Sequence, residues 1–563
     1  MLAWLANPAW LLIGAGLLLP LLPYRLRQGL LVLAPLLAAG WLWTMPQPTV
    51  VTAMALGYEL TPLRLDGLAF VFALIFLIAA MLAGLYMLHL RSRMEPASAL
   101  VYAGAAVAAV LAGDLITLFV YWELTALASA LIILANGPQT YRVTLRYLLI
   151  QVSSGLLLMA GAIVHIRATG SAAFNELGLD AAGGWLIFAA FGIKAAFPLL
   201  HNWLQDAYPA ASPSGTVVLS AFTTKLAIYA LARSYAGTDI LIPIGAVMTA
   251  FPIFYAVIEN DLRRVLAYSL NNQLGFMVVG VGIGSELALN GTAAHAFTHI
   301  LYKALLFMSM GAVLYRVGTV NGSQLGGLYR SMPYTTVFCI IGAASISAFP
   351  LFSGFVSKSL ILSAVGYEGA WLVWLVLIFA SAGVFHHSGI KIPFFAFFAH
   401  DSGIRCQEAP GNMLLAMGLT AAACIGIGCA PGLLYGLLPY PVDYAPYTGS
   451  HILSQMHLLL FSALAFTVLM RTGIYPPELR STNLDFDWVY RRWAPAVIER
   501  GMSGLAAARN GLHQSLNQAA RRHVQGPRGK RVESILAGHA WTTGSMVLAV
   551  TLVLVLYLLS YFS

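Results

Sequence analysis

Sixteen apolar runs, centred near residues 14, 37, 78, 105, 124, 157, 192, 223, 249, 275, 303, 349, 382, 425, 462 and 550, fill this 563-residue chain from end to end. A helix needs about 20 apolar residues to cross a bilayer. Only helices and closed barrels satisfy every backbone group in lipid. The runs are continuous rather than alternating, so they predict helices. The chain therefore reads as an all-α polytopic membrane protein with about 14–16 transmembrane helices. Composition agrees, with 9% charged residues against about 25% in a soluble domain. The first run has no basic segment before it and no small-residue cleavage site after it, and reads as a retained span.

The net charge of +9 is distributed as a membrane protein distributes it. Alternate loops hold Arg25, Arg27, Arg91, Arg93, Arg142, Arg146, Arg263, Arg264, Arg316, Arg330 and Arg405, eleven in all, while the intervening ones hold Arg64, Arg167 and Arg233. By the positive-inside rule the arginine-bearing loops face the cytoplasm and both termini face outward. This alternation argues against nucleic acid as the partner. The four cysteines (Cys339, Cys406, Cys424 and Cys429) have no CxxC spacing. They imply neither a disulfide framework nor a metal or iron–sulfur site. No GxGxxG follows a strand and no P-loop is present, so no nucleotide or redox cofactor is expected.

Lysine and arginine are segregated. Five of the six lysines (Lys194, Lys225, Lys303, Lys358 and Lys391) fall within or at the edge of apolar runs, whereas the arginines lie at flanks or in the tail. Arginine stays protonated, but a desolvated lysine can lose its proton. Intramembrane cations of this kind mark an ion or proton path by default. Snorkelling to the headgroups is the alternative. It stays open for Lys391, which His400, Asp401 and Arg405 follow closely. Glu123 in "GDLITLFVYWELTALASALIIL" is the acid placed well inside a run, and Asp114 opens the same run. A buried glutamate and a buried lysine in nearby spans would control each other's protonation. A static ion pair is the competing reading.

In "LNGTAAHAFTHILYKALLFM", His295, His299 and Lys303 recur at i, i+4, i+8, one stripe of a helix. Two histidines at that spacing could ligate zinc. However, no HExxH glutamate accompanies them, and the lysine one turn on would repel the cation. A hydrated proton wire fits better. Pro198 follows Lys194 by one turn and Pro350 precedes Lys358 by about two, and each is expected to break its helix. Ala196-Phe197-Pro198-Leu199 recurs as Ala348-Phe349-Pro350-Leu351. That echo fits discontinuous helices at matching places in two halves of a transporter.

These residues resemble a known family. "GDLITLFVYWEL", "FGIKAAFPLLHNWLQDAYPAASPSGTVVLSAFTTKLAIYAL", "ENDLRRVLAYSLNNQLGFM", "HAFTHILYKALLFM" and "FPLFSGFVSKSLIL" are similar to the antiporter module. That module is shared by the large membrane subunits of respiratory complex I and the Mrp-type multisubunit Na+/H+ antiporters. The resemblance covers roughly residues 60–430 and is closest to the Mrp D-type subunit through "HDSGIRCQEAPGNMLLAM" and "YPPELRSTNLDFDWVYRR". It implies two inverted five-helix repeats with broken helices at the seventh and twelfth spans. It also implies a Glu123–Lys194 switch and a polar axis through Lys225, His295 or His299, and Lys303 toward Lys358. His201 is expected near an exit. Ser359 stands where related sequences often place an acid, which alters the charge at that end of the axis.

The expected division is residues 1–95 as N-terminal transmembrane helices, 96–400 as the antiporter core of two inverted repeats and 401–473 as C-terminal core helices. A cytoplasmic amphipathic, basic segment over 474–538 and a final span over 539–563 complete it. Ile498, Met502, Leu505, Leu512 and Leu516 share a helical stripe, which suits an interfacial helix held by anionic lipid or a neighbouring subunit. A solvated linker is the alternative.

The sequence thus predicts a proton-translocating subunit of a hetero-oligomeric monovalent cation (Na+)/proton antiporter in a bacterial inner (plasma) membrane, driven by the proton-motive force. H+ and Na+, with K+ or Li+ as further candidates, and membrane lipids are its expected partners, with no cofactor, no metal and no enzyme activity of its own. The alternatives are a proton-pumping arm of a complex I-type NADH:quinone oxidoreductase or related energy-converting complex, and a coupling subunit for bicarbonate uptake. As Glu123 is the buried carboxylate found and a Na+ site needs several oxygens, this subunit is expected to carry the proton.

Overall fold

The computed structural model describes residues 2–55, 57–479 and 483–524, with 550, 551 and 553. Ten described helices are long and apolar enough to span a membrane, and four shorter apolar helices accompany them. Fourteen of the sixteen predicted centres lie on helices, and that at 349 lies on a break within a span. The sixteenth belongs to the 539–563 run, which is almost wholly outside the described residues.

The first unit covers residues 1–483. It opens with α1 (Ala9–Leu18) and α2 (Tyr24–Thr44), then an antiparallel hairpin of β1 (Thr49–Ala55) and β2 (Tyr58–Leu65). No apolar run announces this hairpin. It follows with α3 (Gly67–Tyr86), α4 (Met94–Val110), α5 (Leu115–Leu134), α6 (Tyr141–Thr169), α7 (Gly184–Ala195), α8 (Asn202–Ala207), α9 (Pro213–Ala221) and α10 (Thr223–Ser234). Then come α11 (Leu241–Ile258), α12 (Leu262–Ile283), α13 (Glu286–Val317), α14 (Pro333–Ile346), α15 (Ser353–Tyr367), α16 (Trp371–Val384), α17 (Gly411–Cys429) and α18 (Gly449–Thr472). Residues 385–398 extend α16 as two π-helical stretches around Lys391–Pro393. In the second unit, 484–563, α19 (Ala494–Val524) leaves Ile498, Met502, Leu505 and Leu512 exposed.

Helices α4–α10 make five crossings, as do α11–α16 with its π-helical extension. An odd number of crossings starts the second set at the opposite end, which makes the repeats inverted. In both, the fourth crossing is broken at the same tetrapeptide with the same backbone. Ala196 and Leu199 have φ of 62° and 71°, and Ala348 and Leu351 have 57° and 73°. Phe197 N–H reaches back to Gly192 O at 3.0 Å, and Phe349 N–H to Ala344 O at 3.0 Å. Alanine in the left-handed region costs about 1–2 kcal/mol, so each break stores strain where the helix must stop. The fifth crossings are interrupted too, at Phe222 between α9 and α10 and in the π-helical stretch after α16.

Contacts sort the loops to two ends. At the hairpin end, Thr61 N–H donates to Asp114 Oδ2 at 2.7 Å, Arg64 donates to Phe174 O at 2.7 Å, and Arg233 pairs with Asp66 at 2.7 Å. At the other end, Arg146 pairs with Asp206, Arg330 with Asp401, and Arg316 donates to Glu408 O. The eleven arginines of the alternating loops therefore gather at one end.

Two outcomes follow. Valine at Ala196 or Ala348 cannot adopt positive φ and lowers thermal stability by more than about 1 kcal/mol, whereas glycine at either position stays within about 1 kcal/mol of wild type. Melting of the detergent-solubilised protein reads both. Asp66 caps α3 through Ala69 N–H at 2.9 Å. Burial works against its charge, but the hydrogen bond and charge of Arg233 hold its carboxyl below the usual range. A lowered carboxyl stabilises at neutral pH, and that contribution fades as pH falls through the lowered value. Asp66→Asn should melt below wild type at pH 7, and the two curves should converge under acid.

Candidate functional site

The interior holds cations without counter-ions. Lys194, Lys225 and Lys303 are 0% exposed and Lys358 is 2% exposed. None is within ion-pair distance of a carboxylate among the described residues. Their partners are mainly backbone carbonyl oxygens. Lys194 Nζ, at the C-terminus of α7, donates to Trp122 O at 2.7 Å and Thr125 Oγ1 at 2.9 Å, and lies 4.4 Å over the Trp122 ring. Lys225 Nζ donates to Ser220 O at 2.6 Å across the α9–α10 interruption. Lys358 Nζ reaches Ile346 O at 3.2 Å, the carbonyl that closes α14 before its break. Lys303 Nζ donates to Leu266 O at 3.0 Å. A buried ammonium carries a desolvation penalty of several kcal/mol, and carbonyl dipoles offset part of it.

Glu123 sits beside Lys194 without touching it. It is half-buried, its Oε1 is buried without a hydrogen-bond partner, and the two charges act on each other. The carboxylate occupies the space over Gly155 of α6, where a Cβ would collide with Oε1. Glycine there is the reason the acid fits.

Hydroxyls are spread between Lys194 and Lys225, although the Thr125 carbonyl, not its hydroxyl, is what meets Ser129. Thr125 Oγ1 takes the Lys194 proton donor, Ser129 Oγ bonds to Thr125 O at 2.6 Å, and Tyr147 OH bonds to Ser129 Oγ at 2.9 Å. Tyr102 OH meets Thr223 Oγ1 at 2.5 Å, two residues before Lys225. Lys225 then acts electrostatically on His295, His299 and Lys303, which ties the first repeat to the second.

On α13, His295, His299 and Lys303 are all fully buried. His295 Nδ1 meets Ser357 Oγ at 3.1 Å and Nε2 meets Gln273 Oε1 at 3.2 Å, while Tyr302 OH donates to the same Gln273 oxygen at 3.1 Å. This clamp joins α12, α13 and the residue before Lys358. Both ring nitrogens of His299 are buried with no protein partner, as are the side-chain amides of Gln151 and Asn271. Each such group left dry costs about 1–3 kcal/mol. Interior water making two to four hydrogen bonds would remove that cost, and the same water would conduct protons between the fixed groups. His201, expected near an exit, is 2% exposed and its ring lies 4.6 Å from Phe251.

Three features escape the sequence reading. Glu95, at the start of α4, is 4% exposed and accepts from Ser212 Oγ at 2.5 Å. It lies two residues after Arg93, at a membrane flank where the sequence singles out no acid. His387 is fully buried and hydrogen-bonds Ser388, which bonds Ser269 on α12. Lys391 is fully buried, and its ammonium turns inward to protein partners rather than toward headgroups.

Comparison with known proteins shows what the chain as a whole is similar to. Residues 112–386 match the family described as NADH:quinone oxidoreductase/Mrp antiporter, TM. The D-type subunit of the Na(+)/H(+) antiporter of Alkalihalophilus pseudofirmus is 30% identical over 346 residues, covering 57% of this chain and 70% of that protein. "Hydrogenase-4 component B" of Escherichia coli is 27% identical over 439 residues, covering 69% of this chain. The chain spans 65% of that relative's length. Among solved structures, a chain of the Mrp complex from Dietzia superposes with a TM-score of 0.79 at 25% identity, covering 98% of this chain and 66% of that one.

The Gly155 contact gives a direct test. Gly155→Ala should displace the Glu123 carboxylate and lower transport by about tenfold, with normal assembly, because Glu123 is half-buried and has room to swing aside. Ion flux and purification yield, measured together, check it.

Proposed function

The chain belongs to the NADH:quinone oxidoreductase/Mrp antiporter transmembrane family, and from that premise we propose that it is the proton-carrying, D-type subunit of a multisubunit Na+/H+ antiporter. The observation that carries this reading is the run of fully buried lysines and histidines, from Lys194 through Lys225, His299, His295 and Lys303 to Lys358, none ion-paired to a carboxylate among the described residues. A charge fixed by no counter-ion changes when its neighbour's charge changes. Protonation of Glu123 alters Lys194, interior water among the Thr125, Ser129 and Tyr147 hydroxyls passes the proton toward Lys225, and the imidazoles relay it to Lys303 and Lys358. Glu123 is the acid that the sequence places well inside an apolar run, and a Na+ site needs several oxygens, so on this reading Na+ passes mainly through a partner subunit. The arginine-bearing end faces the cytoplasm of a bacterial cell, and α19 with the following segment braces the partners.

A second reading has a specific observation behind it. The likeness to Hydrogenase-4 component B extends over 439 residues, which suits a pump arm whose redox chemistry belongs to other subunits. Iron–sulfur subunits co-purifying with the chain would favour it.

The deciding experiment is Na+-dependent ΔpH dissipation in everted vesicles of antiporter-deficient cells expressing the full complex. Wild type should respond, and Glu123→Ala and Lys194→Ala should each lose at least about 90% of the response with assembly intact. An assembled wild-type complex that ignores Na+ would overturn the antiport reading.

A further inference from the structure

Lys391 is the repeat counterpart of Lys225. Each follows an interruption in the fifth crossing of its repeat, and each is fully buried. Lys391, however, has an acid. Its Nζ pairs with Glu478 at 2.9 Å and donates to Val257 O at 2.6 Å and Glu259 O at 2.7 Å at the end of α11. Glu478 lies outside both repeats, in the segment after α18, and its side chain is 6% exposed. The second crossing of the first repeat supplies Glu123, and that of the second repeat, α12, carries Gln273 and no acid within the span. The second half therefore receives its carboxylate from a different part of the chain.

Two further observations distinguish this cluster from a simple helix cap. A cavity of about 320 Å³, lined by Gly322, Ser323, His400, Met470 and Glu478, opens at the arginine-bearing end. Glu478 belongs to its lining, with both carboxyl oxygens buried behind that wall. In the other direction, His387 lies one turn before Lys391 in a π-helical stretch, a backbone form often found at functional sites. It is close enough to Lys303, Lys358 and Lys391 to feel all three charges, and its Nε2 has no hydrogen-bond partner. The other charged or titratable groups around the pair are Glu259, itself 3.8 Å from Arg264, His386 with Tyr475 stacked on it, and His400 in the cavity wall. Burial pushes the Glu478 carboxyl above the usual carboxylate range, against the pull of Lys391.

We propose that Glu478, Lys391 and His387 form a proton-loading branch that connects the arginine-bearing end to the buried axis of the second repeat, an inference that rests on the proton-carrying function above. The Glu478 carboxylate takes a proton from a hydronium ion that reaches it by way of the cavity, leaving neutral water behind. Lys391, its counter-charge now neutralised, passes a proton to the His387 imidazole and is reprotonated by Glu478. One proton moves from cavity to imidazole, and Glu478 and Lys391 return to their starting charges. His387 then hands the proton to the Lys303–Lys358 cluster.

The test uses the complete complex in everted vesicles, with Glu478→Gln and Glu478→Asp beside Lys194→Ala. Glutamine still offers an oxygen to the Lys391 ammonium but cannot carry the proton as a carboxyl does. The expected result is normal assembly of Glu478→Gln with transport lowered by at least about tenfold, and an active Glu478→Asp whose pH profile is displaced. Wild-type transport in Glu478→Gln, with Lys194→Ala inactive, would make the pair a static brace and overturn the branch. Full activity in Lys194→Ala as well would instead remove the functional reading beneath it. If Glu478→Gln fails to assemble, Glu478→Asp decides: a pH profile superimposed on wild type overturns the branch, and a displaced one supports it.

Discussion

A broken helix inside a membrane releases carbonyl oxygens that lipid cannot satisfy, and this architecture meets them with lysine. Ser220 O and Ile346 O, freed at interruptions, take Lys225 and Lys358. Ala256 O, Val257 O and Glu259 O, at the end of α11, take Lys391. The arrangement solves two problems of polar burial with one contact, since the carbonyl gains a donor and the ammonium gains a partial counter-charge. Among the described residues it also leaves four of the five inner lysines without a carboxylate to fix their charge. Breaks, lysines and function are thus one physical arrangement. A chain with unbroken helices would offer few carbonyls for such ammonium groups.

The same logic explains how the two repeats communicate. Lys225, at the interruption in the fifth crossing of the first repeat, acts on His295, His299 and Lys303 of the second. The groups alternate between rigidly held ones, such as His295 between Ser357 and Gln273, and ones with unpartnered polar atoms, such as His299. Held groups set the spacing, and the others need water. That mixture destabilises the fold relative to an apolar core, a cost expected where charge must move.

Much of this was legible in the chain. Continuous apolar runs gave the helices because lipid leaves the backbone no cheaper choice. The recurrence of Ala-Phe-Pro-Leu marked the two breaks, and the identical left-handed residues at Ala196, Leu199, Ala348 and Leu351 show that four letters encoded a backbone and not merely a composition. The i, i+4, i+8 spacing brought His295, His299 and Lys303 onto one buried stripe. What stayed hidden depends on contacts distant in sequence. Glu478 reads as a loop acid until Lys391 meets it from 87 positions away, and Lys391 reads as an edge lysine until its ammonium turns inward. The hairpin at residues 49–65 lies between spans, where hydropathy carries no strand signal, and the π-helical stretch around Lys391 has no propensity signature at all.

The proposed proton path crosses both repeats, and Lys225 is where it passes from the first to the second. The most direct measurement is Na+-gradient-driven proton flux in proteoliposomes of the complete complex, read by an internal pH dye, for wild type and Lys225→Gln. Glutamine can still donate toward Ser220 O but carries no exchangeable charge. A line that runs through Lys225 predicts a fall of at least about tenfold with assembly unchanged. Flux equal to wild type in the assembled variant would contradict it.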